Sequence, residues 1–248
     1  MVKRTTELWL EFDIRNHFKL GPVKYHNVVA SIKGTKYPDE YVIISGHLDS
    51  YDVATGGIDC GTGIGPMMEA ARMIALSGAK PKRTILFVAF AGEEFGLLGA
   101  KAYVKTHAKE LGKIANLFNR DGGPTPPVGI SVPQAMYDDF VEVCKPVKEI
   151  RADYPFEVKV AKPFKRPTQS GGTDASVFAV EGVPTFGFNT QDIKGYNFSY
   201  GEIWHTERDL YTKNIPEYQE HAATVTAVVA LGIANLSKQL SREGMHKK

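Results

Sequence analysis

The chain of 248 residues is poor in cysteine: Cys60 and Cys144 are the only two. A disulfide scaffold is therefore excluded, although one bridge and two free thiols remain equally open. It also lacks an excess of charge of either sign, with 30 Lys and Arg against 28 Asp and Glu, a formal +2. No basic run is long enough to follow a phosphate backbone, so no nucleic-acid partner is expected. No apolar run approaches the roughly 18–20 residues needed to cross a bilayer; Val225 to Ile233 is among the longest. The start, MVKRTTELWLEF, lacks the apolar stretch and small-residue cleavage site of a signal peptide. These absences predict a soluble protein with no targeting signal in this chain. A hydrophobic content of 43% is ample for a core, and residues 1–248 are expected to form a single domain.

Hydrophobic periodicity predicts an α/β fold. Leu8, Leu10, Phe12 and Ile14 alternate with polar residues, and Asn27 to Ile32 is rich in β-formers. The first forty residues thus read as two strands joined through Gly21-Pro22, forming an antiparallel edge. Tyr41 to Ser45 and Thr84 to Phe90 are continuous apolar runs, each followed by helical spacing, over Gly65 to Leu76 and Leu97 to Thr106. That alternation predicts βαβα units with a buried, mostly parallel sheet between helical layers, a three-layer αβα arrangement. Ile114 to Phe118 continues it as a strand, Met136 to Val147 as an amphipathic helix, Pro184 to Phe188 as a short strand and Glu217 to Leu240 as a long closing helix. Two stretches, Ala152 to Gly172 and Gln191 to Gly201, carry Pro, Gly, Asn and Tyr and read as loop or short hairpin.

Acidic and histidine clusters fall just beyond these strands: His47-Leu48-Asp49, Asp59-Cys60, Glu93-Glu94 and Asp121-Gly122, with His205 in WHTERD. In an open α/β sheet, groups at the carboxyl ends of strands converge although they are distant in sequence. Imidazole nitrogen and carboxylate oxygen are ligands of zinc, and five such groups suffice for two ions if one carboxylate bridges. Adjacent carboxylates at a buried strand end repel unless a cation neutralises them or one takes a proton. Each residue alone has a plainer reading: Asp59 as a helix cap, Asp121 as an Asp-Gly turn, His205 as a structural histidine. Asp174, in GGTD, reads equally well as the N-cap of a helix starting at Ala175. The coincidence of five at strand ends outweighs the plainer readings.

The strings YVIISGHLDSYDVATGGIDCGTG, RTILFVAFAGEEFGLLGAKAY, NRDGG, SGGTDASVFAVEGVP and WHTERD resemble the co-catalytic zinc exopeptidase family of bacterial leucyl aminopeptidase, glutamate carboxypeptidase and carboxypeptidase Q. The last branch is the most similar. The resemblance runs from about Tyr25 to the end and implies a metal-dependent exopeptidase of zinc-peptidase architecture acting on short peptides with a free amino terminus. It implies two zinc ions, His47 and Asp121 on one, Glu94 and His205 on the other, and Asp59 bridging. Glu93 would be the general base, Asp49 the carboxylate that orients His47, and Asp174 a group near the rim of the site. It further implies a cis Asp59-Cys60 peptide bond and a secreted or periplasmic setting. Cys60 stands where the family often has Asp or Asn, and the additional N-terminal sequence and protease-associated insert of carboxypeptidase Q are absent, so a catalytic domain alone is expected. Two other readings share the fold: a single-zinc glutaminyl cyclase and a receptor-like domain without catalysis. The wall that would hold a substrate's terminal carboxylate is expected in 166–173 and 191–201, with Arg166, Ser170 and Lys194 as candidates.

Overall fold

A computed structural model describes residues 9–15, 17 and 21–246. Strand β1 (Val28–Ile32) is followed by β2 (Tyr37–His47), α1 (Gly61–Leu76), β3 (Arg83–Phe90), α2 (Leu98–Thr106) and β4 (Ile114–Asn119). Then come β5 (Pro127–Val132), α3 (Tyr137–Ile150), β6 (Glu157–Val160), α4 (Asp174–Val180), β7 (Phe188–Thr190) and α5 (Pro216–Ala234). A four-stranded sheet has the order β1-β3-β2-β4, with β2 parallel to both β3 and β4 and β1 antiparallel on the edge. A three-stranded sheet has the order β6-β5-β7, its β5–β6 pair parallel and its β5–β7 pair antiparallel.

Successive side chains of a strand point to opposite faces, and the core divides accordingly. Val42 and Ile44 of β2, with Ile85, Phe87 and Ala89 of β3, pack in one cluster with Met67, Ala70 and Ile74 of α1, Phe140 and Val143 of α3, and Val225, Val229 and Ile233 of α5. Ile43, Val88, Phe90 and Leu117 face the other way, toward Ala100, Tyr103 and Val104 of α2 and Val177 and Phe178 of α4. This is the expected three-layer arrangement. Among the described residues no helix is long and apolar enough to cross a membrane.

Several boundaries differ from the sequence reading. The strand expected around Leu8 to Ile14 does not form over the described residues 9–15; Leu8 lies outside them. Trp9, Leu10, Phe12 and Ile14 are all exposed. Alternation supplies a strand's pattern, but a strand also needs a hydrogen-bonding neighbour, and residues 9–15 have none among the described residues. The strand expected at Pro184 to Phe188 is displaced to β7. Pro184 has no N–H to donate, so 184–186 binds β4 by a few bonds: Leu117 N–H to the Pro184 carbonyl at 2.9 Å, and Phe186 N–H and C=O to the side chain of buried Asn116 at 3.3 Å each.

Strand β5 is masked in the sequence by Pro127 and Gly129, yet that glycine is what admits the pairing: a Cβ there would stand 2.3 Å from the Glu157 carbonyl oxygen. Strand β6 lies inside the stretch expected to be irregular. Helix α5 stops at Ala234 rather than Leu240, because the chain turns to use Asn235 and Leu236 as acceptors: the Asn235 side-chain oxygen takes the Lys82 N–H, and the Leu236 carbonyl takes buried Arg83.

Candidate metal centre

The carboxyl ends of β2, β3 and β4 lie side by side, with His47 paired to Phe90 in register and Ser45 to Asn119. That ladder sets His47, the Glu93-Glu94 pair and Asp121 along one rim. His47 is buried, and its Nε2 lies 2.8 Å from Asp59 Oδ1 and 3.4 Å from Asp121 Oδ1. His205 Nε2 lies 2.9 Å from Glu94 Oε2. One ligand atom each from His47, Asp59 and Glu94 lie within 4.8 Å of one another. All five expected ligands are therefore brought together, with Asp59 between the two groups. Asp59, Glu93, Glu94, Asp121 and His205 line one cavity of about 560 Å³, in the ordinary range for small-molecule sites.

Asp59 is carried on the turn that opens α1, which begins four residues earlier than its periodicity indicates. The Asp59-Cys60 peptide bond is cis. Helix α1 contains Pro66, which cannot donate to the Thr62 carbonyl; Arg120 Nε donates to that carbonyl instead, at 2.8 Å. Arg120 also donates to the Gly123 and Thr125 carbonyls, so the residue before Asp121 is anchored on both sides. Cys60 donates its thiol to the Arg120 carbonyl at 3.0 Å, and burial pushes it up to about 12, which keeps it a thiol. Both cysteines are free, which decides the alternative left open by sequence.

Two carboxylates, half-buried Asp49 and buried Asp209, fix the loops in the same manner. Asp49 accepts the Glu93 and Glu94 N–H groups, 3.1 Å each, on its two oxygens. Asp209 accepts the Ile58 N–H at 2.7 Å and the Asp59 N–H at 3.1 Å. The expected contact between the Asp49 carboxylate and His47 is longer than a hydrogen bond, 3.9 Å; His47 Nδ1 instead sits 2.8 Å from the Asp49 main-chain carbonyl. A carbonyl acceptor keeps a hydrogen on Nδ1, so that when the ring is neutral the lone pair is on Nε2, the nitrogen facing Asp59 and Asp121. Gly57 lets the Asp209 loop approach: a Cβ there would lie 2.2 Å from Leu210 and Tyr211 main-chain atoms. His205 occupies left-handed backbone, φ 57°, and its ring stacks on Tyr51 at 4.2 Å and 5°.

The electrostatics describe a site with too much negative charge for protein groups alone. Burial first, then Asp121, pushes Glu93 up to about 8. Burial and Asp59 raise Glu94, whose Oε1 is buried without a hydrogen-bond partner among the described residues. Burial lowers His47, but the bonds to Asp121 and Asp59 outweigh it and raise the imidazole, so it takes a proton as the site's cation. Burial acts to raise Asp59, but hydrogen bonds from His47 and Tyr200 prevail and hold it low. Donors around a tetrahedral zinc lie roughly 3.3 Å apart, the separation His47 and Asp121 already have. An N and O donor set, an orphaned buried carboxylate oxygen and excess acid all fit divalent metal.

Sequence reasoning missed two contributors, Tyr200 and Asp209, and left a third, Asp174, undecided between the rim of the site and a helix cap. Tyr200 stands beside Asp59, helping to hold that carboxyl low, and lines the cavity; it lies in 191–201, where the expectation was a wall for the substrate carboxylate and not a neighbour of Asp59. Asp209 ends the WHTERD string, yet nothing local marks it as the anchor of Asp59. Asp174 is fully buried as the first residue of α4, with Thr173 rather than Asp174 as N-cap. Neither Asp174 oxygen has a partner among the described residues, and burial pushes it up to about 7.

Fold and site define a three-layer α/β protein with a cluster of histidine and carboxylate groups beyond its strand ends that fits divalent metal. The family model described as Peptidase family M28 matches residues 27–229, and the chain belongs to that family. It is 32% identical over 231 residues to carboxypeptidase Q of Rattus norvegicus, an alignment covering 91% of this chain and 46% of the relative. It resembles the solved peptidase M28 precursor from Shewanella amazonensis SB2B, with 34% identity and TM-score 0.72, covering 87% of this chain and 46% of that one. A zinc aminopeptidase from Bacillus subtilis shares the fold at 21% identity and TM-score 0.64, over 89% and 53% of the two chains. The chain thus spans about half the length of the relatives it matches.

Proposed function

We propose that residues 1–248 form the catalytic unit of a zinc-dependent exopeptidase acting on short peptides with a free amino terminus. The observation that carries this reading is the placement of Asp59 between His47 with Asp121 on one side and Glu94 with His205 on the other. That arrangement suits two zinc ions sharing one carboxylate, His47 and Asp121 holding one and Glu94 and His205 the other. The relatives named carboxypeptidase Q and zinc aminopeptidase support the same reaction class. When bound, zinc supplies a Lewis acid for the scissile carbonyl and lowers the pKa of water.

The chain's own groups do the rest. Glu93 lines the cavity beside this ligand set without being a ligand in this reading, so it can accept the proton of the attacking water and return it to the leaving amine. Asp49 holds the Glu93 and Glu94 main chain, and Asp209 holds that of Asp59, so that the carboxylates meet the reacting groups already oriented. The acidic end of the cavity suits the substrate's ammonium group. In the decisive assay, zinc-loaded protein cleaves L-alanyl-L-alanine, a chelator stops cleavage, zinc restores it, and N-acetyl-alanyl-alanine is spared. Rapid turnover of the acetylated peptide, or indifference to the chelator, would overturn the reading. Metal analysis at saturating zinc is expected to return two ions per chain.

A further inference from the structure

A second cavity, of about 450 Å³, lies on the α2 face of the four-stranded sheet and shares no lining residue with the one over the metal-ligand cluster. Tyr41, in its wall, stands six residues before His47 on β2, so at about 3.3 Å per residue the two places are roughly 20 Å apart. Val29 of β1 pairs with Val88 of β3, two residues from Leu86 and therefore on the same face, so Val29 and Leu86 supply an aliphatic floor. The walls are aromatic and polar. Helix α2 ends at Thr106, and Tyr103 and His107, four residues apart, stack there with ring centroids 4.1 Å apart and planes 21° apart. His107 Nδ1 lies 2.9 Å from the Tyr103 carbonyl, which fixes the imidazole, and the turn that follows brings back Glu110, whose N–H donates to the His107 carbonyl at 2.8 Å.

This cavity has acceptors and no cation to meet them. No lysine or arginine lines it, and the Glu110 carboxylate makes no ion pair among the described residues. Burial first, then Glu110, raises the phenols of Tyr41 and Tyr103, the latter to about 12, so both stay protonated and the same carboxylate faces both. An anion entering here is repelled by Glu110, and a neutral apolar ligand leaves that carboxylate desolvated without a partner. A cation on an aliphatic stem meets every group: its N–H bonds reach Glu110 and the phenol oxygens, its charge lies among aromatic rings, and its stem covers Val29 and Leu86. We infer that the cavity is a second binding site, for an organic cation of the alkylguanidinium or alkylammonium class, held by Glu110, Tyr41 and Tyr103. A dipeptide spans at most about 7 Å, so this ligand is not the peptide acted on at the metal cluster, and the inference stands apart from the exopeptidase reading.

The cation n-butylguanidinium and its neutral isostere n-butylurea separate charge from shape. Calorimetric titration of the zinc-loaded protein, in which metal occupies the acid cluster, is expected to show the guanidinium binding about 10- to 100-fold tighter than the urea. Glu110→Gln should remove most of that difference by weakening the guanidinium alone. Tyr103→Phe keeps the ring against His107 and loses only the hydroxyl, and it should weaken the guanidinium about 2- to 10-fold. Nuclear magnetic resonance of the His107 ring protons is expected to follow the titration in wild-type protein. Equal binding of the two compounds, guanidinium binding that Glu110→Gln leaves unchanged, or no binding of the guanidinium overturns the inference. The same cation is offered by a free amine or guanidine and by a basic side chain of another protein, and N-acetyl-Gly-Arg-Gly-amide tells them apart. Tighter binding of this peptide than of n-butylguanidinium, lost in Glu110→Gln, assigns the site to a partner's side chain; weaker binding assigns it to the free small molecule.

Discussion

The candidate site has two halves built by different means. His47, Glu93, Glu94 and Asp121 follow parallel strands, and the ladders joining β2 to β3 and β4 align them before any side-chain bond is made. Asp59, Tyr200, His205 and Asp209 come from irregular chain, and long-range polar bonds hold them: Asp209 is 150 residues from Asp59 yet bonds its N–H. Both halves use one carboxylate on two consecutive amides, Asp49 in one and Asp209 in the other. The difference teaches that strand-borne ligands inherit their geometry from the core, whereas loop-borne ligands depend on a few bonds that single substitutions can remove.

The largest expected effect lies in the strand-borne half. Glu93→Gln keeps shape but cannot take a proton, and activity should fall about 10²- to 10⁴-fold with zinc content unchanged. Near wild-type activity in that variant would show that the base lies elsewhere. Asp209→Ala breaks the loop-borne half, leaving the buried Ile58 and Asp59 N–H groups without acceptors. Zinc affinity is expected to fall about 10- to 100-fold and stability by about 1–3 kcal/mol, read by competition with a chelating dye and by urea unfolding. Asp49→Ala should lose less zinc, since the turn after Glu93 keeps its own main-chain bonds from Gly96 and Leu97. If the two variants lose equally, the contrast between the halves disappears.

A smaller effect concerns protons. His47 is raised by Asp121 and Asp59 against the effect of burial, so it is protonated near neutral pH among protein groups alone and must release that proton to a metal. Zinc affinity should therefore rise with pH, by about tenfold per unit for each proton released. Titrations in buffers of different ionisation enthalpy count those protons, and a count of zero contradicts the His47 assignment. The smallest effect is expected far from the site. Phe12 and Leu10 are exposed, so Leu10→Ser and Phe12→Ser should each change stability by no more than about 0.5 kcal/mol. A larger loss would restore the strand once expected there.

From the sequence alone, the alternating apolar runs at 41–45, 84–90 and 114–118 dictated a buried parallel sheet, because a strand covered on both faces has to be apolar throughout. The residues just beyond those runs were legible as a site for the same reason: strand direction determines which end they occupy. Sequence could not show that Asp209 holds Asp59, that the Asp49 carbonyl rather than its carboxylate meets His47, or that Arg166 and Lys194 bond Val180 and Glu217 instead of lining the cavity. It also could not deny residues 9–14 a strand, nor grant one to 127–132. These were tertiary decisions, since each depends on which partner stands across a gap that folding closes. Local spacing carries a residue's periodicity but no information about a neighbour 150 positions away.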